Sequence, residues 1–116
     1  MRSPASALGV LIAGAGIGGL ATALGLARQG YRVEVMEQSL RIGEIGAGFQ
    51  LGPNAFAAFD ALGVGELVRT RAIYAERMVM MDALDGSEVA SVPLGEVFRK
   101  RFANPYAVIH RADVHA

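Results

Sequence analysis

The chain has 116 residues, 53% of them apolar, with eleven Lys plus Arg against eleven Asp plus Glu and no cysteine. That length suits one modest domain, the apolar content excludes a disordered chain, and the even charge balance offers no basic field for nucleic acid or an anionic membrane surface. Without cysteine there are no disulfides, thiolate metal sites or thiol nucleophiles, and a cytoplasmic address is compatible with that.

In chain order, Met1 to Ala7 reads as a loose leader. No charge occurs from Ser3 to Ala27 and Arg2 precedes that run, which imitates a signal peptide. Gly14, Gly16, Gly18 and Gly19 would break a spanning helix, each costing roughly 1 kcal/mol relative to Ala. A strand, a turn and a helix account for the segment better. Gly9 to Ala13 is a short apolar run suited to a buried strand. Ile17 to Gln29 carries Leu20, Ala23, Leu24 and Ala27 at helical spacing and should stop at Gly30. Tyr31 to Glu37 alternates like a strand, completing a βαβ pattern. Arg41 to Pro53, with Gly43, Gly46, Gly48 and Gly52, is expected to be a loop. Pro53 suits a first helical position, and Ala55, Phe56, Phe59 and Leu62 form a stripe ending at Gly63. A further turn or two is expected over Glu66 to Arg71. Asp85-Gly86 between Met78 to Leu84 and Glu88 to Pro93 predicts a hairpin. Tyr106 to Ile109 makes another short strand, and His110-Arg111-Ala112-Asp113 opens a helix whose body lies past the last residue. No repeat, linker or internal boundary is visible, so residues 1–116 are expected to form one compact unit.

Gly14-Ala15-Gly16-Ile17-Gly18-Gly19 fits G-x-G-x-x-G, follows a predicted strand and opens a predicted helix. In such a turn the first glycine allows the bend, the second lets the backbone approach a pyrophosphate, and the last lets helix and strand pack closely. Free N–H groups and the helix dipole then hold phosphate without a basic side chain. Gly14, Gly16, Gly18 and Gly19 are therefore candidate cofactor contacts. Glu37, 18 residues beyond Gly19, stands near the spacing at which an acid accepts hydrogen bonds from the adenosine ribose. These residues alone do not separate FAD from NAD.

Ala23 and Gly30 extend the glycine pattern, Gly43 to Ala55 adds a second stretch, and His110-Arg111-Ala112-Asp113-Val114-His115 a third. Together they resemble the single-component FAD-dependent aromatic-ring hydroxylases, particularly the salicylate and 3-hydroxybenzoate hydroxylase branch. The resemblance implies an α/β fold: a Rossmann-like βαβ FAD-binding unit with an inserted β-hairpin, an incomplete version of the FAD/NAD(P)-binding fold. It places Glu37 on the ribose and Arg111 near the cofactor, while Gln50 reads either as a polar contact near the cofactor or as an ordinary loop amide. It implies FAD as cofactor, NADH or NADPH as co-substrate, O₂ as oxidant and a small aromatic acid as substrate, with no nucleic-acid or membrane partner and a homodimer left open. No catalytic residue is assigned within the chain, and the substrate region and catalytic base are expected beyond Ala116. The alternatives are the dinucleotide-binding domain of an NAD-dependent dehydrogenase, which should continue to a third parallel strand, and a non-catalytic truncated module.

Other chemistries find little support. His110 and His115 are five apart, unlike paired zinc ligands on a helix, and read as a strand-end and a helix-surface residue. Asp82, Asp85 and Glu88 flank a turn, where solvated acids are ordinary. There is no G-x-S-x-G elbow, and the aromatics do not alternate with basic residues as in RNA-binding sheets.

Overall fold

A computed structural model describes residues 9–40 and 47–116. The expected leader and residues 43–46 of the second glycine stretch lie outside the described residues. The elements are β1 (Val10–Ala13), α1 (Ile17–Arg28), β2 (Val33–Met36), β3 (Gly48–Leu51), α2 (Pro53–Leu62), α3 (Gly65–Arg71), β4 (Ile73–Tyr74), β5 (Arg77–Met81), β6 (Glu88–Pro93), α4 (Glu96–Phe102), β7 (Ala107–His110) and α5 (Arg111–His115). They divide into two compact units where one was expected, residues 1–47 with 111–116, and residues 48–110. No shift in composition marks either crossing.

In the first unit β1 and β2 pair in parallel, Val10 opposite Val33 and Ala13 opposite Met36, joined through α1 as a βαβ unit. Val10, Ile12, Val33 and Val35 are half-buried, whereas Leu11, Ala13, Glu34 and Met36 are exposed. One face of the pair is therefore covered and the other open. Parallel pairs ordinarily have both faces covered, and Leu11 at 59% exposure measures how far this one departs from that. Among the described residues, the only buried side chain of this unit is Ala15, in the glycine bend.

The second unit has a conventional core of Leu51, Phe56, Val68, Leu94, Ala107 and Ile109. Its central sheet runs β3-β7-β4, antiparallel throughout, with Leu51 opposite Ala107 and Phe49 opposite Ile109. Residues 48–51 thus form a strand where a loop was expected. Phe49 and Leu51 alternate with Gly48 and Gln50, which is strand periodicity hidden by the local density of glycine. The partner strand lies far along the chain, where local pattern has no reach. The hairpin forms as expected, β5 against β6, with a bulge between Met80 and Met81 and Gly86 at φ 74°. Asp82 and Asp85 accept the N–H groups of Leu84 and Ser87, so these acids cap the turn.

Helix α4 was not anticipated. It is held by local pairs that a search for an apolar stripe overlooks: Lys100 on Glu96 at 2.7 Å, one turn apart, and Phe98 on Phe102 with ring centroids 4.6 Å apart. Basic residues in its last turn oppose the negative end of the helix dipole. Arg69 joins three segments of the unit, donating to Asp60 Oδ2 at 2.8 Å and Asn104 Oδ1 at 3.1 Å, with its guanidinium 5.3 Å from the Phe56 ring centroid.

Phe56 is completely buried, so Phe56→Ala is expected to lower the unfolding free energy by about 3–5 kcal/mol. Tyr106 Oη is buried and finds no partner among the described residues, so Tyr106→Phe should be neutral or stabilising. Urea unfolding measures both, and a loss above about 1 kcal/mol in Tyr106→Phe would show that the hydroxyl is bonded.

Candidate functional site

Because β1 and β2 are parallel, both deliver their carboxyl ends to one edge, where α/β sheets place ligands. Gly14 leaves β1 at φ 103°, a conformation that L side chains rarely adopt, and its N–H donates to Met36 O at 2.6 Å. Helix α1 begins after Gly16 with no side-chain cap and no acid in its first turn. The N–H groups of that turn and the positive end of the dipole are consequently left for an anion.

The glycines differ in what the fold itself demands of them. A Cβ at Gly19 would lie 2.0 Å from Gly14 O, so the close approach of helix to bend excludes any side chain there. A Cβ at Gly16 or Gly18 would meet nothing within 4 Å. Packing within the protein does not require glycine at either position, even though at Gly18, inside α1, glycine costs roughly 1 kcal/mol relative to Ala. Close approach by something from outside would require it.

Glu37 follows β2 directly and turns back on the bend. Its Oε2 accepts the Ala15 N–H at 2.7 Å and its Oε1 the Ser39 N–H at 2.8 Å. The Ala15 bond, and then the Ser39 bond, hold this carboxyl below the usual carboxylate range against a smaller opposing effect of desolvation, and the His115 charge adds a minor contribution. Glu37 is therefore ionised at neutral pH. An open cleft of about 480 Å³ lies against Ala13, Gly14, Met36, Glu37 and Gln38. A smaller hollow of about 270 Å³ at Gly9, Val10, Leu11, Arg32 and Glu34 has no helix N-terminus among its lining residues.

Of the residues singled out from sequence, Gly14, Gly16, Gly18, Gly19 and Glu37 come together at this edge. Arg111 is the exposed first residue of α5 in the same unit, its N–H donating to Ala47 O at 3.2 Å. Gln50 is exposed on β3 of the other unit, opposite Val108. His115 corrects the sequence reading: expected on a helix surface, it is half-buried, with Nε2 2.7 Å from Ala15 O. Only the docking of α5 against α1 brings it there, and no local pattern encodes a contact across 100 residues. Among the described residues, no helix is long and apolar enough to cross a membrane.

The family model for an NAD(P)-binding Rossmann-like domain matches residues 12–66, which span the bend, Glu37 and α2. A 3-hydroxybenzoate 6-hydroxylase of Polaromonas naphthalenivorans is 68% identical over 108 residues, covering 93% of this chain and 27% of the relative. One from Klebsiella oxytoca is 56% identical over 112 residues, covering 97% and 28%. Over the segment it spans, the chain is similar to these 3-hydroxybenzoate 6-hydroxylases. It spans about a quarter of the length of these relatives. Among solved structures, Klebsiella pneumoniae HpxO complexed with FAD and uric acid aligns with a TM-score of 0.81 at 26% identity, covering 96% of this chain and 28% of that one. The fold is thus a Rossmann-like βαβ unit followed by a hairpin-bearing antiparallel unit, in agreement with the expectation from sequence.

Gly19→Ala is expected to lower the melting temperature of the ligand-free protein by about 5 °C or more, whereas Gly16→Ala should leave it within about 2 °C. Equal shifts in the two variants by calorimetry would show that the bend does not divide its glycines between packing and open space.

Proposed function

We propose that the glycine bend and Glu37 hold the adenosine diphosphate half of FAD, within a cytoplasmic monooxygenase that hydroxylates a small aromatic acid of the 3-hydroxybenzoate type. The observation that carries this reading is the Glu37–Ala15 hydrogen bond, which sets an ionised acid beside an uncapped helix N-terminus and two glycines whose Cβ positions are open. The diphosphate meets N–H groups of the bend and the first turn of α1, with Gly16 and Gly18 permitting contact with bare backbone. Each Glu37 oxygen accepts one backbone N–H and retains a lone pair for a ribose hydroxyl. The acid disfavours a 2′-phosphate at that place by charge. Arg111 and Gln50 are proposed as further cofactor contacts.

Bound FAD would accept a hydride from NADH or NADPH and, with O₂, supply the oxygen for ring hydroxylation. The residues of this chain bind and orient; none is assigned a proton or a bond to the aromatic substrate. The substrate class rests on the hydroxybenzoate hydroxylases at 56–68% identity. Against an NAD-dependent dehydrogenase domain stands the strand after β2, which pairs antiparallel with β7 instead of extending a parallel sheet.

In the polypeptide carrying this segment, Glu37→Ala and Gly16→Ala are each expected to raise the FAD dissociation constant about tenfold or more. Unaltered flavin binding in both, by fluorescence titration, would overturn the reading. The lowered pKa of Glu37 also fixes a direction with pH. The stabilisation from the ionised form is present above the usual carboxylate range and is lost as pH falls through the lowered folded value. Flavin affinity should therefore weaken on acidification, and Glu37→Gln should flatten that dependence.

A further inference from the structure

Two consecutive peptide planes of the bend are each gripped by a side chain from far along the chain. Glu37 takes the N–H of the Gly14–Ala15 peptide, and His115 Nε2 lies 2.7 Å from the oxygen of the Ala15–Gly16 peptide. A carbonyl oxygen can only accept, so His115 Nε2 carries the proton. The peptide unit is planar, and no peptide among the described residues is cis, so the Gly16 N–H points opposite to the carbonyl that His115 holds. A hydrogen bond accepted at that oxygen also polarises the amide on the same unit and makes its N–H a stronger donor. Gly14 and Gly16 flank this segment without side chains, so the planes need such restraint.

We infer that His115 is a positioning residue for the cofactor: by donating from Nε2 to the Ala15 carbonyl, it orients and strengthens the Gly16 N–H as a donor to the diphosphate. This rests on the FAD reading above. It assigns to α5 a direct link to the bend, with the histidine at its last residue as the working group. The ring does not touch the ligand, and its effect passes through one peptide unit.

The test uses the flavin-loaded polypeptide that carries this segment, with FAD as probe. His115→Ala is expected to raise the FAD dissociation constant about tenfold, and His115→Gln, whose amide nitrogen stands in for Nε2, to restore it to within about twofold. In the ligand-free protein the Gly16 amide proton resonance should move upfield in His115→Ala and stay near its native position in His115→Gln. Imidazole nitrogen shifts of the unaltered protein at neutral pH should place a proton on Nε2, and a proton on Nδ1 alone overturns the inference without any variant. Equal weakening by both substitutions overturns it as well, because a packing role does not distinguish them. If His115→Ala binds FAD normally while Glu37→Ala does not, this inference falls and the FAD reading stands. If neither substitution matters, the FAD reading itself has failed.

Discussion

The backbone of Ala15 is the point on which the site depends, with its N–H held by Glu37 and its carbonyl by His115. A glycine-rich bend is useful because its backbone comes close to a ligand, and it is costly because that backbone has many conformations to lose. Bonds from outside the bend resolve the conflict without placing side-chain bulk at the mouth. Ala15 is the one residue of the central bend with a Cβ, and it is buried, so the segment is anchored through its apolar side and through both its polar groups.

The two units are stabilised differently. Residues 48–110 enclose Phe56 and five other buried apolar side chains and carry the Arg69 cluster. The βαβ unit has almost no enclosed core among its described residues, and one face of its strand pair presents Leu11 and Met36. Its order therefore rests more heavily on hydrogen bonds at the strand ends: Gly14 to Met36, Ala15 to Glu37 and His115 to Ala15. The same bonds that shape the bend also tie β1, β2 and α5 together, so binding geometry and local stability are coupled at this edge.

Glu37 illustrates how one carboxylate takes on two tasks. It accepts two backbone N–H groups, which keep it ionised, and in the proposed reading the same charge selects a ribose with a free 2′-hydroxyl. Because its bonds are to backbone, the acid is fixed in place before any ligand arrives.

What could be read from the residues alone was whatever depends on near neighbours. Helical spacing after Gly16, alternation before Glu37, Pro53 at a helix start and Asp85-Gly86 at a turn each act over a few residues, and each element formed. The spacing of Gly14, Gly16, Gly19 and Glu37 could be read because a βαβ unit is nearly a local object. The strand at 48–51, helix α4 and the place of His115 could not be read in that way. β3 is a strand only because β7 lies beside it, α4 rests on individual pairs instead of a stripe, and His115 reaches the bend only when the chain returns after 100 residues. Tertiary structure decided these because pairing and docking energies belong to two distant segments at once, and neither segment carries the other's address.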